Sequence, residues 1–491
     1  MAGWGWTLAA GATGRGARVT DDELTYLPTT EALRLFRTRD LSPVELMNAV
    51  IARSEAVEPE INAFAEETFE EALVQAKAAE IAYGPGGAPR PLEGLAVAIK
   101  EEQPIAGRIV SEGSLVFADH LAEQTHPAVA RILAAGGIVH ARTTTPEFCC
   151  AIFTHSRRWG VTRNPWNTDY SPGGSSGGSG AALAAGTAML ATGSDIAGSI
   201  RLPAAATGTV GFKPPYGRVP AVPPFNLDPY CHDGPMARTV ADCALLENVM
   251  AGPHPEDVAS LRPAVRIPEQ LGDIAGMRIG FAPNLGDWEI EPDVAANTRA
   301  AAEALREAGA IVEEIDVRLR HRDIRRAVFS HFGAIFGAYV AGVAAEYRDE
   351  LTPYALAFAA DTAIGPGDYL AGLDIEAAVY GVLGPLLERY DALLCPTTGA
   401  AGLPAGEDFV DTRLTVNGVE LEHYWDVALT PVFNIASRCP VLNVPTGLGR
   451  NGIPTGMQIV GRTYEDASVF HIGAALERIR PWPHHPPAEP R

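Results

Sequence analysis

The chain has 491 residues with 47% apolar side chains, enough to bury a large core, and a formal net charge of −22 from 38 basic and 60 acidic residues. So acidic a surface repels nucleic acid and anionic lipid, which argues against either as a primary partner. Six scattered cysteines make no disulfide framework and twelve histidines form no HExxH pair, so neither a metal nor a cofactor is implied.

The first twenty residues have no basic start and no long apolar stretch. They read as part of a disordered tail over 1–23 rather than as a signal peptide. Ser42-Pro43-Val44-Glu45 is a capping box with proline at the first helical position, which predicts a helix from residue 43 to about 57. A second helix is expected over 67–82, closed by Gly-Pro-Gly-Gly at 84–87. Residues 94–99 form a short apolar run that fits a buried strand and delivers Lys100 at its end. Residues 127–135 read as a helix, 137–141 as a strand, and Pro146 as the start of a further helix.

The stretch 171–180, SPGGSSGGSG, fits three structures when read alone. It suits a flexible linker, a phosphate-binding loop, or a catalytic loop whose glycines admit unusual backbone conformations. No lysine follows Gly178, so the P-loop form fails. The loop runs straight into the helix-forming AALAAGTAMLATG, which removes the linker reading. A second small-residue turn follows at 193–201, GSDIAGSIR. Two serine-bearing turns separated by one short helix place two hydroxyls at one locus. Burial disfavours an ammonium, so Lys100 at the end of an apolar strand can be neutral and act as a base. Lysine and two serines then supply base, relay and nucleophile with no histidine.

Further along, residues 216–230 carry four prolines and three aromatics, an ordered loop that either roofs the site or packs on the surface. Asp233 and Arg238, in DGPMARTVAD, fit the start of a helix packed beneath the site. Residues 277–282 and 311–317 read as strands around a helix over 294–308. Residues 329–347 and 369–390 read as long helices, with Phe329, Phe332, Phe336 and Tyr339 at helical spacing as core first and pocket wall second. Late strands are expected at 392–395, 441–444 and 455–460, and a closing helix at 467–479. Strands alternating with helices imply an α/β protein with a mixed or parallel sheet covered on both faces. The proline-rich end, 481–491, is expected not to pack. The longest small-apolar run, 181–192, is too short to span a bilayer, so a soluble cytoplasmic enzyme is the simplest class.

The stretch from Gly94 to about Arg218 resembles the amidase signature family. The likeness rests on Ala96-Val-Ala-Ile-Lys100, Pro172-Gly-Gly-Ser-Ser-Gly-Gly178 and Asp195-Ile-Ala-Gly-Ser-Ile-Arg201, in order. A weaker likeness runs from about Leu24 to Glu477 and includes Gly452-Ile-Pro-Thr-Gly-Met-Gln-Ile-Val-Gly461. The resemblance implies one large α/β domain over 24–480, with core motifs at 94–218 and a central mixed sheet covered by helices on both faces. It implies Lys100 as base, Ser175 as relay after a cis bond from Gly174, and Ser199 as the nucleophile that carries the acyl group. The two serines stand 24 residues apart, the family's usual separation.

By the same resemblance, the backbone N–H groups of Ile196, Ala197 and Gly198 hold the oxyanion. Ala197 stands where glycine is common and is acceptable there only at negative φ. Asp195 and Arg201 either fix the nucleophile turn or form an ordinary surface ion pair. Ser176 either hydrogen-bonds the lysine or the nucleophile turn, or is structural. Cys149 and Cys150 either line the acyl pocket or are two buried core cysteines. The family handles aliphatic, aryl, peptide, malonamide-type and fatty amides, and in some members carbamates or urethanes. No segment reads as the membrane-binding element of a fatty-amide member. Small or aryl amides are therefore expected, with carbamates (urethanase activity) next, in a monomer or homodimer. The alternative is the A-type component of a glutamine-dependent tRNA amidotransferase, which releases ammonia for a partner complex. A binding protein that has lost catalysis fits poorly with intact Lys100, Ser175 and Ser199.

Overall fold

The computed structural model describes residues 21–486, so most of the tail expected over 1–23 and the last five residues lie outside the described chain. The first described element is the short helix Asp21–Thr25, which overlaps the end of the tail expected over 1–23. The capping box forms as its spacing demands. The Ser42 hydroxyl accepts from the Glu45 N–H at 3.1 Å, the Glu45 carboxylate accepts from the Ser42 N–H at 2.9 Å, and the helix Pro43–Ile61 follows.

Eleven strands form one mixed sheet. In spatial order they are Phe64–Glu67, Ile138–Thr143, Ala96–Lys100, Leu190–Ser194, Asp233–Ala237 and Val210–Lys213. The order continues with Val441–Leu448, Pro454–Gly461, Ala392–Pro396, Arg278–Phe281 and Ile311–Glu314. Ala96–Lys100 runs parallel to both of its neighbours, Ile138–Thr143 and Leu190–Ser194. A second parallel group joins Ala392–Pro396, Arg278–Phe281 and Ile311–Glu314, and antiparallel pairs connect the two.

All five residues of Ala96–Lys100 are buried, as a strand covered on both faces requires. Val97 and Ile99 join the core cluster of Leu246, Leu305 and Ile472, from the helices Val240–Met250, Pro292–Glu307 and Asp466–Ile479. Ala98 joins a different cluster, with Ala181, Ala182, Ile200 and Ala204. That side is covered by the helices Gly177–Ala185 and Arg201–Thr207. Successive side chains of a strand alternate faces, so Lys100 shares a side with Ala98. Alanines on strand and helices bring these elements close, and the serine-bearing turns stand at the N-terminal ends of those two helices.

Several elements depart from expectation. Residues 67–82 divide into the strand Phe64–Glu67 and the helix Phe69–Ala82. Pro146 starts no helix: only the 3-10 turn Glu147–Cys149 forms, with Phe148 and Cys149 left-handed at φ 53° and 57°. Asp233 and Arg238 do not begin a helix either. Asp233 opens the strand Asp233–Ala237, and the helix starts at Val240 behind a Thr239 cap. The long helix expected over 329–347 breaks at Ile335 into His321–Ala334 and Phe336–Tyr347. The C-terminal segment packs at Trp482, which is 8% exposed and donates its indole N–H to the Arg238 carbonyl at 3.2 Å.

One straight helix among the described residues, Asp368–Arg389, is long and apolar enough to cross a membrane. It packs against His321–Ala334 and exposes Leu370, Leu373 and Tyr380. Residues 216–230 are ordered. Phe225 packs on Phe336 and Tyr339, with ring centroids 6.1 and 6.0 Å apart.

Candidate active site

Lys100 ends its strand paired in register with Thr143, and Ser194 ends the strand on its other side. Carboxyl ends of parallel strands leave the next residues free to turn into a crevice, which is where α/β sheets place their ligands. The Lys100 Nζ is fully buried there. It donates to Ser175 Oγ at 2.7 Å and to Ser194 Oγ at 2.8 Å, and lies 3.2 Å from Glu102 Oε1.

The peptide bond between Gly174 and Ser175 is cis. A Cβ on Gly174 would lie 2.3 Å from the Phe153 carbonyl oxygen, so only glycine lets this loop lie against that backbone. The following helix is pinned by Ser179, whose Oγ donates to the Thr192 carbonyl at 2.8 Å and lies 2.7 Å from Thr143 Oγ1. The expected relay serine thus precedes a helix tied to the two strands that flank the lysine's own.

The second turn sits directly beside the first. Ser176 N–H donates to the Ser199 carbonyl at 3.1 Å, and the Ser176 hydroxyl accepts from Ser194 N–H at 3.3 Å. Ser176 therefore ties the two turns together and makes no bond to the lysine. Ser199 is 5% exposed. Gly198 has φ 129°, and a Cβ there would meet Thr430 Oγ1 at 2.1 Å. Ala197 is not left-handed, which meets the condition for an alanine in this turn, and its carbonyl accepts from Thr430 Oγ1 at 2.6 Å.

Asp195 and Arg201 are no surface pair: both side chains are 0% exposed. Arg201 Nη2 donates to Asp195 Oδ1 at 2.8 Å and its Nε to Oδ2 at 2.9 Å, a two-point clamp. The guanidinium also reaches Gln458 Oε1 at 2.7 Å, Asn434 Oδ1 at 2.6 Å and the Thr430 carbonyl at 3.0 Å. Burial alone would raise the Asp195 carboxyl. Arg201 and the Asn434 amide overcome that and hold it well below the ordinary carboxylate range. Asp195 Oδ1 also accepts the Gly198 N–H at 2.7 Å. This corrects the expected oxyanion set, because the Gly198 donor is already spent on shaping the turn. The N–H groups of Ile196 and Ala197 have no acceptor among the described residues.

Lys100 also departs from expectation in its charge. Burial pulls its proton affinity down, but Cys149, Glu102 and Asp233 around it raise it above the ordinary lysine value. Asp233 is itself held below its usual range: burial pushes it up, and the neighbouring His126, Gln103 and Lys100 outweigh that.

The two adjacent cysteines part company. Cys149 lies at the site: its Sγ donates to Glu102 Oε2 and is 2.9 Å from Thr145 Oγ1. Cys150 is 1% exposed and belongs to the aromatic core with Phe153 and Tyr354, in keeping with the second of the two readings, a buried core cysteine. Phe148 packs edge-on against Tyr339 at 6.0 Å, so Tyr339 stands near the site, whereas Phe332 and Phe336 are core. A polar cleft of about 400 Å³ beside Tyr170, Asp293 and Arg450 holds none of these groups.

Ser194, Glu102, Thr430, Asn434 and Gln458 were not anticipated. Ser194 and Glu102 carried a readable signal, since each stands at or just past the end of a strand flanking the site. Asn434 and Thr430 arrive from more than 200 residues away with no local pattern.

The comparisons with known proteins agree with this architecture. The amidase family model matches residues 45–470. An acylamidase of Rhodococcus erythropolis is 33% identical over 96% of this chain and 99% of its own length. The A-type component of the glutamyl-tRNA(Gln) amidotransferase of Chloroflexus aggregans is also 33% identical, over 94% of this chain and 98% of its own length. A crystal structure of a bacterial aryl acylamidase of the amidase signature family superposes with a TM-score of 0.87 at 28% identity, covering 93% of this chain and 97% of that one. With this fold, these motifs in order and these relatives, the chain belongs to the amidase signature family and is an amidohydrolase.

Proposed function

We propose that the protein hydrolyses small or aryl amides through an acyl-enzyme on Ser199, with Ser175 as relay and Lys100 as base. The observation that carries this reading is the 2.7 Å contact from Lys100 Nζ to Ser175 Oγ, beside a Ser199 turn tied to Ser176. In the attacking step neutral Lys100 takes the Ser175 proton as Ser175 takes that of Ser199, whose oxygen bonds to the substrate carbonyl carbon. The Ile196 and Ala197 N–H groups receive the oxyanion. The proton returns through Ser175 to the leaving nitrogen, because an amide anion is a very poor leaving group. Water then attacks the acyl-enzyme and frees the acid. Carbamates fit the same steps, since only the atom beyond the carbonyl differs. The acylamidase and aryl acylamidase relatives support an amide, and aryl amides in particular.

The test is a panel of aliphatic amides, anilides, esters and carbamates with wild type and Ser199→Ala side by side. Ser199→Ala should lose at least about 10³-fold in kcat on every substrate turned over. Retained activity would overturn the assignment.

A second reading has its own support, the 33% identity to the A-type component of an amidotransferase. In that case the chain releases ammonia from glutamine for a partner complex. Hydrolysis of anilides by the purified chain alone favours the first reading. Silence on anilides, with glutaminase activity appearing only once the partner proteins are added, favours the second.

A further inference from the structure

The Lys100 ammonium has three N–H groups and three acceptors, Ser175 Oγ at 2.7 Å, Ser194 Oγ at 2.8 Å and Glu102 Oε1 at 3.2 Å. The surroundings thus fit the charged lysine, which is not the form that accepts a proton. Of the three acceptors only Glu102 is an anion. Its other oxygen is engaged as well, accepting from the Cys149 thiol. The carboxylate is therefore clamped between Lys100 on one side and Cys149 on the other. Cys149 is fixed in turn by Thr145 and by the left-handed turn that Glu147 anchors.

We propose that Glu102 is a positioning residue that holds Lys100 as an ammonium and delays its conversion to a base, placing turnover on the alkaline side. This rests on the relay of the previous section. The titratable groups facing Lys100 are Glu102 from the turn after its own strand, Cys149 from the 3-10 turn, and Asp233 from the antiparallel strand. Asp233 is already engaged on both oxygens, with His126 Nε2 at 3.2 Å and the Gln103 amide donating at 2.6 Å. Burial holds the Cys149 thiol well above its ordinary value, so it remains protonated and donates to Glu102. Behind Glu102 stand Glu112 and Cys231, the former pushed up to about 7 by burial and by the Glu102 and Glu101 carboxylates. Glu102 is the one full negative charge in direct contact with the lysine.

A serine-directed fluorophosphonate tests this without knowledge of the substrate. Ser199 Oγ forms a bond to phosphorus, the P–F bond breaks and fluoride leaves, and the Ser199 proton passes through Ser175 to Lys100. The labelling rate against pH therefore reads the fraction of neutral lysine. Glu102→Gln keeps an acceptor oxygen and removes the charge. An opposite charge at this range moves an ionisation by about one to three units, so the midpoint should fall by that much while the high-pH rate stays within a few-fold. Glu102→Ala removes the carboxylate outright and should lower the midpoint in the same direction.

A midpoint within about 0.3 units of wild type in Glu102→Gln overturns the proposal. If that variant does not fold, an unmoved midpoint in Glu102→Ala overturns it instead. The reading of the relay itself fails separately, if Ser199→Ala still labels or Lys100→Met labels at the wild-type rate. Loss of label in both, with an unshifted Glu102→Gln, sinks only the role given to Glu102.

Discussion

Asp195 touches no expected reacting atom, yet it decides the shape of the nucleophile turn. One of its oxygens takes the Gly198 N–H and both are gripped by Arg201. Deleting Arg201 leaves a buried carboxylate without its cation, which costs about 3–5 kcal/mol of stability. Urea unfolding of Arg201→Ala should show that loss at neutral pH. The folded carboxyl is held below its unfolded value near 3.9, so the pair's stabilisation is present above that pH and fades as pH falls toward the folded value. The unfolding curves of wild type and Arg201→Ala should therefore converge only in strongly acidic solution. Lys100, Ser175, Ser199, Asp195 and Arg201 were legible because the loop glycines and the end of an apolar strand mark them locally. The Gly198 donor was misassigned for a physical reason: an N–H three residues past an aspartate is open to capture by that side chain, and capture is visible only in three dimensions.

Between residues and the whole lie the short elements around the site, which were the hardest to foresee. Proline at 146 suggested a helix start. Instead Glu147, 1% exposed, takes the Ser114 hydroxyl at 2.7 Å, and the Thr352 N–H and hydroxyl at 2.7 and 2.6 Å. These contacts reach far along the chain and override the local preference. Glu147→Ala strands three buried donors, each costing about 1–3 kcal/mol when left unsatisfied. We expect a clear fall in Tm with a parallel fall in kcat, because this turn presents Cys149 to Glu102. A normal Tm with normal kcat would contradict the role given to the turn. The break at Ile335 has a similar origin. Gly337 lies so near Thr362 that a Cβ would meet its Oγ1 at 2.1 Å, so the second helix follows its neighbour instead of continuing the first. Helices and strands with strong periodicity fell within a few residues of expectation, as Asp466–Ile479 and Pro454–Gly461 show.

Over the whole molecule, several acidic side chains are buried without full compensation. Burial raises Glu58 to about 7 and Glu477 to about 8, and pushes Glu247 well above its usual value. Neither carboxylate oxygen of Glu247 has a hydrogen-bond partner among the described residues. In the unfolded chain these groups ionise near 4.3. Between that pH and about 8 the folded protein therefore binds more protons than the unfolded chain, and stability falls as pH rises. Each unit of elevation costs about 1.4 kcal/mol once both states are ionised. The net charge of −22 adds self-repulsion in the same direction. Glu102 asks the opposite of pH, since the neutral lysine appears only as pH rises. Activity and stability then pull apart, and the working window is the overlap between lysine deprotonation and carboxylate-driven loosening. Glu477→Gln removes one of these ionisations, and Glu477 is not among the groups that shift Lys100. Its Tm should decline less than that of wild type between pH 5 and 9, while its fluorophosphonate labelling midpoint stays where the wild type has it. A Tm difference that does not change with pH would show that Glu477 ionises in the folded protein as it does in the unfolded chain, its carboxyl not raised by burial.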